Sequence, residues 1–517
     1  MRLRPRTRGG ALWRFFLAAV LVIIATAGTT AVAGLLQFKQ FAADLNITGP
    51  IQQADVNLPP PGAPQTLLVI GSDHRASDPS YKFAHTDTML LMRLNAASQT
   101  INLLSIPRDL QVPIPGFGTS KLNSAYADGG PNLLIKTMQR DVFPGLRVNH
   151  IVDVNFGAFQ NLVNAIGCVY SDVDHRYYNS TALTGYSSID IQPGYQKLCG
   201  TDQIRGALAF VRFRHSDSDL VRNARQQDFI RWAKDQYGLT NLISNKDTLL
   251  RIFGKYAKTD HSLHTVSGLL NLTDLVLNSA GHTIKSIRFP SIPGPCTATT
   301  PDCIVTADPV AEQAAFQAFM RATQAPAPAP AALSAPAGGA TRAGARRASR
   351  VSAAGVTTDT IDGHSQAAAL HAARMPVYYP KLIAAGSSYC LSIIGNCDNP
   401  QEPQSEYAAS YPRHYTIHDQ QGRRQLAYYM TLVINPLLGQ YYGVQGTTWL
   451  HPPILAHPNG FRTVDGKRLE LFSGGGKLTD VAWRTRQGVY WVSNTLTNDI
   501  GNQQMVAIAA SLTRATP

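Results

Sequence analysis

TLLVIGSDHRASDPSYKFAHTDTMLLMRLNAASQTINLLSI, residues 66–106, is the stretch on which the fold class turns. Its runs TLLVI (66–70), TMLLMRL (88–94) and TINLLSI (100–106) are almost unbroken apolar segments of strand length. A strand with one wet face alternates polar and apolar residues, so runs without alternation predict strands covered on both faces. Helical signals follow. DGGPNLLIKTMQRDVF (128–143) has turn residues, Pro131 at a helix start and apolar positions at helical spacing. NFGAFQNLVNAIG (155–167) repeats the scheme, with Asn155 as cap and Phe156, Phe159, Leu162, Val163 and Ile166 on one stripe. Strands alternating with helices predict an α/β domain, a layered α/β/α unit around a mostly apolar central sheet, over residues 65–323.

The flanks differ in kind. Residues 1–14 carry Arg2, Arg4, Arg6, Arg8 and Arg14, and Phe15 to Phe38 is a run of 24 residues without charge. About 20 apolar residues span a bilayer, so 15–38 is expected to be a transmembrane helix. The arginines then stay in the cytoplasm and the bulk of the chain lies outside, a single-pass cell-membrane protein. A cleaved signal peptide is the alternative, although the run exceeds the usual apolar core of about 7–15 residues. Residues 39–64 read as a stalk ending in LPPPGAP. Residues 324–373, opening with QAPAPAPAALSAPAGGATRAGARRASR, read as a Pro/Ala/Gly linker. Beyond it, 374–517 forms a smaller α+β module, with strands over 468–472, 477–483 and 489–493 and a helix over 505–512. Its aromatics Trp449, Trp483, Tyr490 and Trp491 read as core.

The chain has a formal net charge of +13, which would suit nucleic acid. The basic residues are dispersed, however, and no zinc-finger, basic-zipper or RNA-binding signature occurs, so no nucleic-acid partner is expected. Six cysteines occur, none in a CxxC, which disfavours zinc and redox chemistry. An even number in an exported chain suggests disulfides, and local pairing gives Cys168–Cys199, Cys296–Cys303 and Cys390–Cys397.

Polar segments interrupt the apolar strands where ligands usually sit in such folds. GSDHR (71–75) follows the first strand, HTDT (85–88) precedes the second, and SIPRDLQVPIPGFGTSKLNSAYADGG (105–130) follows the third. A fourth segment, VRFRHSDSDLVRNARQQ (211–227), converges charge. On a strand Arg212 and Arg214 share a face, and on a following helix Arg222, Arg225 and Gln226 do. Converging guanidinium groups repel, so they need carboxylates or a bound anion, and arginine forks fit phosphate oxygens.

In that order and spacing the segments resemble the LytR-CpsA-Psr family of bacterial cell-envelope enzymes, over about residues 65–235. The resemblance implies a phosphotransferase that moves a glycopolymer from a polyprenyl-pyrophosphate carrier to a peptidoglycan hydroxyl, in cell wall assembly at the membrane. It implies magnesium held by Asp73 and Asp87. Arg108, Arg212, Arg214 and Arg222 match the family's catalytic arginines, and Arg75, Lys121 and Gln226 match its pyrophosphate-binding positions. Many members carry an arginine two residues before the second metal-binding aspartate; here that position is His85, which can still donate to a phosphate. Asp219 and Asp109 are candidates for orienting arginines or for accepting the acceptor's proton, and spacing does not choose between them. Arg225, one residue off the Arg222/Gln226 face, is expected to support the fold. The lipid slot is expected along the Phe156/Phe159/Leu162/Ile166 stripe.

Three other functions compete. A hydrolase would use the same site with water as acceptor. A gene regulator is disfavoured by the exported topology. A non-catalytic lipid-carrier or wall-binding protein is disfavoured by paired Asp and Arg in register. For the C-terminal module, binding to wall polymer or a partner ranks first.

Overall fold

The computed structural model describes residues 51, 56–72, 86–179, 188–213, 219–244, 257–279, 281–294, 304–321, 355–391, 397 and 411–515. The apolar run 15–38, the Cys296–Cys303 pair, Asp73, Arg75, His85, Arg214 and most of the linker lie outside these residues. Among the described residues, no helix is long and apolar enough to cross a membrane.

The three apolar runs form β1 (Gln65–Ser72), β2 (Thr86–Leu94) and β3 (Thr100–Ile106). They join β4 (His150–Asn155), β5 (Ala257–Thr259) and β6 (Thr283–Ile287) in one mixed sheet of order β5-β4-β1-β2-β3-β6. β1 runs parallel to β4 and antiparallel to β2, and β3 runs antiparallel to β2. Both faces are covered, as the unbroken runs require. Leu68, Ile70, Leu91, Leu104 and Ile106 pack on one side with Leu134 and Ile135 of α1 (Leu122–Thr137). Leu67, Leu90 and Leu103 pack on the other with Leu275. Phe316 and Phe319 of a helix at Pro309–Met320 complete the first side.

α1 begins earlier than its sequence suggests and kinks at Gly129 and Gly130, and Pro131 starts the second segment. α2 (Phe156–Ala165) matches the expected helix, with the Asn155 side chain accepting from the Ala158 amide at 2.9 Å. The expected strand through Arg212 is not one. Residues Ala207–Arg212 form a short helix, α3, capped by Gly206, with Ala207, Phe210 and Val211 buried. The chain turns extended only at Phe213 (φ −54°, ψ 134°). A helix of six residues is too short for periodicity to reveal it. α4 (Asp219–Ser244) follows.

The second module holds a larger sheet than the first. Its strands are β7 (Ser388–Tyr389), β8 (Arg413–His418), β9 (Arg424–Asn435), β10 (Gln440–Thr447), β11 (Gly460–Val464), β12 (Lys467–Gly474), β13 (Lys477–Arg484) and β14 (Val489–Ser493). The order is β7-β9-β10-β14-β13-β12-β11, with β8 also on β9. One face holds the helix Asn502–Ala510 against Tyr428, Met430, Tyr442, Val444 and Tyr490. The opposite face meets the first module, where Trp449, Phe472 and Trp491 share a core with Tyr170 and Tyr195. Two disulfides match the local pairing expected: Cys168–Cys199, with Cα atoms 4.5 Å apart, and Cys390–Cys397, at 5.3 Å.

Candidate functional site

Four strand ends meet at one edge of the first sheet: β1, β3 and β4 end there and β2 starts there, because β2 runs antiparallel to both β1 and β3 while β4 runs parallel to β1. Asp87 is therefore brought beside Arg108 across 21 residues of sequence, and Gly71 lies against Thr88, where an added Cβ would sit 3.1 Å from the Thr88 Cβ. After β3 the chain folds back on itself. The amides of Leu122 and Asn123 donate to the carbonyls of Leu110 and Arg108, which brings Lys121 next to Asp109.

The charged side chains form a continuous ladder. The Lys121 Nζ lies 3.1 Å from Asp109 Oδ1, and Asp109 Oδ2 lies 3.6 Å from Arg108 Nε. Arg108 Nη1 donates to Asp87 Oδ1 at 2.5 Å, and Asp87 Oδ2 lies 3.6 Å from Arg212 Nη2. Arg212 also stacks on the Phe156 ring, 3.8 Å from guanidinium carbon to centroid. Beneath the ladder, the first turn of α4 pairs Arg222 with Asp219 at 3.0 Å.

Exposure sorts the members. Arg212 is the most open at 39%, with Lys121, Arg108 and Asp87 near 20%. Asp109, Asp219 and Arg222 are buried in the floor. Burial, reinforced by the nearby Asp219 carboxylate, pushes the Asp109 carboxyl above its ordinary value, while Arg108 and Lys121 oppose the rise. The Nε of Arg222 finds no hydrogen-bond acceptor among the described residues, and its Nη2 meets Asp219 as an ion pair without hydrogen-bond alignment. Four cations face three carboxylates here, so the cluster suits an anion with several oxygens.

Gln226 and Arg225 take roles that charge alone does not reveal. The Gln226 amide donates to Thr88 Oγ1 at 2.9 Å and to the Val211 carbonyl at 3.0 Å, tying α4 to β2 and α3. Both its protons are engaged in holding these elements together. Arg225 is fully buried; its guanidinium donates to the Phe210 and Phe213 carbonyls and lies 4.3 Å over the Tyr177 ring. Sequence reasoning passed over Thr88 and Gln227, whose amide donates to Ser105 Oγ at 2.9 Å. The doubled glutamine in ARQQ was the available signal, since two adjacent amides on a helix suit two neighbouring strands. The Phe156, Phe159, Leu162 and Ile166 stripe is only partly buried, beside Arg212.

No group of three potential metal ligands occurs among the described residues. Asp87 offers a hard carboxylate of the kind magnesium takes, and it stands at the mouth next to the end of β1 that leads to Asp73. The described residues thus fit one ligand of such a site.

Comparison with known proteins finds a family match. The LytR_cpsA_psr family model matches residues 38–314, over half of the chain. A polyisoprenyl-teichoic acid–peptidoglycan teichoic acid transferase TagU of Oceanobacillus iheyensis is 31% identical over 239 residues, covering 43% of this chain and 69% of that one. Bacillus subtilis TagT, a transferase of the same description, is 31% identical and covers 40% and 62% respectively. A probable cell wall biosynthesis protein, LcpB of Corynebacterium glutamicum, is 31% identical and covers 38% of this chain and 46% of its own. The match thus spans about half to two thirds of these relatives. Among solved structures, a Streptococcus agalactiae protein aligns with a TM-score of 0.43 at 22% identity, covering 50% of this chain and 86% of that one. A TagT structure with bound octaprenyl pyrophosphate lipid aligns at 0.36 and 22%, covering 52% and 93%.

Proposed function

This chain belongs to the LytR-CpsA-Psr family, and from that premise we propose that it transfers a glycopolymer from a polyprenyl-pyrophosphate carrier to a peptidoglycan hydroxyl. The observation that carries the reading is the Lys121–Asp109–Arg108–Asp87–Arg212 ladder, whose Arg212 end lies on Phe156 of a partly buried apolar stripe. Cationic forks and an apolar slot are what a lipid pyrophosphate needs, and the transferase relatives act on such polyisoprenyl-linked polymers by name.

The acceptor hydroxyl oxygen attacks the glycan-side phosphorus, a new P–O bond forms, and the bond to the bridging oxygen breaks. Polyprenyl phosphate leaves with that bond's electron pair. Arg108 and Arg212 hold the non-bridging oxygens, since phosphoryl transfer is chiefly positioning and charge stabilisation. Arg222 supports the charge from the floor. Asp109 takes the hydroxyl proton, because burial and the nearby Asp219 make its carboxyl hold a proton more readily than an ordinary aspartate. Lys121 keeps Asp109 oriented. Gln226 keeps α4 in register with β2. Magnesium, held by Asp87 with Asp73, would neutralise the pyrophosphate. The chain works outside the cell membrane, anchored by residues 15–38. His85, Arg75 and Arg214 are proposed to contact the phosphates, Arg75 and Arg214 because they match arginine positions of the family and His85 because it stands where many members carry an arginine.

The test uses the full chain with an undecorated polyprenyl-pyrophosphate glycan and purified peptidoglycan. Glycan should become wall-linked as polyprenyl phosphate appears. Free glycosyl phosphate without wall linkage would make the protein a hydrolase instead.

A further inference from the structure

α4 has two working ends. Its first two turns carry Asp219 and Arg222 to the phosphate site and Gln226 to the Thr88 hydroxyl that holds the helix against β2. Arg231 sits nine residues beyond Arg222, about 13 Å along the same helix at 1.5 Å per residue. There α4 meets the second module. Arg231 Nη2 pairs with Asp228 at 2.7 Å, one turn back, and its Nη1 crosses the seam to Thr479 Oγ1 of β13 at 3.1 Å. The Asp480 carboxylate of β13 adds its field to Arg231. Further along α4, the Gln236 side chain bridges the backbone of Tyr170, accepting from its amide at 2.8 Å, and Tyr170 in turn donates its hydroxyl to the His418 carbonyl at 2.8 Å.

A second route reaches the same helix. Arg225 lies over Tyr177, whose hydroxyl donates to Asp174. Next to Asp174, the His175 ring stacks on Tyr441 of β10, with centroids 3.9 Å apart and planes 15° from parallel. The Tyr441 hydroxyl donates to the Cys397 carbonyl, inside the disulfide loop of the second module.

We propose that the second module is a positioning element of the transfer site: it clamps α4 through Thr479–Arg231 and Tyr441–His175, and so fixes where Arg222 and Gln226 stand. A helix is stiff along its axis, so holding its middle against the second sheet restricts the tilt of its first turn. The seam holds the module in place, burying Tyr170, Tyr195, Trp449 and Trp491 in one shared core. Arg231, Thr479, His175 and Tyr441 are positioning residues and touch no substrate.

This inference rests on the phosphate site assigned above, and the experiment separates the two. Full-length Thr479→Val and Tyr441→Leu, singly and together, are compared with Thr479→Ser, Arg108→Ala and Met505→Ala. The last lies in the second module's own core, away from α4. The probe is octaprenyl pyrophosphate, and the readouts are its Kd, the transfer rate and the thermal midpoint. The double seam variant should bind about five- to tenfold more weakly, the size of coupling that residues remote from a ligand exert. Thr479→Ser should restore wild-type affinity. Met505→Ala should lower the midpoint and leave the Kd unchanged. Wild-type affinity and rate in the double seam variant overturns the proposal, as does an equal loss in Met505→Ala. Wild-type affinity in Arg108→Ala would instead remove the phosphate site itself.

Discussion

Two clusters of aspartate and arginine lie at opposite ends of one stretch of this molecule, and they differ in who outnumbers whom. At the mouth, Arg108, Arg212, Lys121 and Arg222 outnumber Asp87, Asp109 and Asp219, and the outer members face water. At the seam, Asp172, Asp174, Asp228 and Asp480 surround Arg231 and His175, closed between two sheets. The mouth has one more cation than carboxylate and is open to water, so it can take an anion. The seam has surplus carboxylate and no access, so burial makes Asp172, Asp228 and Asp480 hold protons more readily, while His175 keeps the buried Asp174 low. Burial, with Asp480 nearby, lifts Asp172 to about 7, and burial lifts Asp480 to about 6. Asp172 meets the second module through Gln445 Nε2 at 2.6 Å and the Ser493 hydroxyl. The same residue types serve a reaction in one place and cohesion in the other, and exposure decides which.

The largest expected effect is at the mouth. Arg108→Ala should lower transfer by about 100-fold or more, as removing one preorganised charge donor does elsewhere. Its thermal midpoint should stay near wild type, because the side chain is partly exposed and its loss leaves no core cavity. A midpoint loss matching the activity loss would move Arg108 from chemistry to structure. Removal of divalent ions with a chelator should likewise stop transfer, and added magnesium should restore it; activity that persists in the chelator would remove the metal from the account.

The seam should instead respond to pH in stability. Asp172 and Asp480 carry raised values when folded, against an ordinary 3.8. The folded chain therefore keeps protons that the unfolded chain releases. The stabilisation is fully present below about pH 4 and is lost as pH rises through 6 to 7, with an upper bound of about 7 kcal/mol if the two shifts act independently. Chemical denaturation between pH 4 and 8 should show this fall, and Asp172→Asn should flatten it. A stability that rises with pH across this window would reverse the sign of the argument.

The smallest effect concerns Lys121. Replacing it by Met removes a cation that opposes the rise at Asp109. The acidic limb of the pH–rate profile should shift upward by about one unit or less. An unmoved limb would take Asp109 out of the proton's path.

Much of this was legible in the residues. Strands β1 to β3 announce themselves because two-sided burial leaves no alternation to misread, and the site segments flank them in order. Asn155 caps α2 where the local pattern says it should. Arg212 lies on a helix rather than the expected strand, and the six residues Ala207–Arg212 span fewer than two turns, too few to repeat an apolar stripe. Gln226 looked like a phosphate ligand because sequence shows its amide but not the Thr88 hydroxyl and Val211 carbonyl that occupy it. The seam was not legible. Gln445 and Ser493 reach Asp172 across 273 and 321 residues, and no local pattern carries such a partner.

The most direct test of the central claim is a stoichiometric one. The full chain is given a polyprenyl-pyrophosphate glycan labelled in its sugar, with peptidoglycan, and both products are counted. The account predicts one polyprenyl phosphate released for each labelled glycan joined to the wall through a phosphodiester, and neither with Arg108→Ala. Label that never reaches the wall, or equal release by wild type and Arg108→Ala, would contradict it.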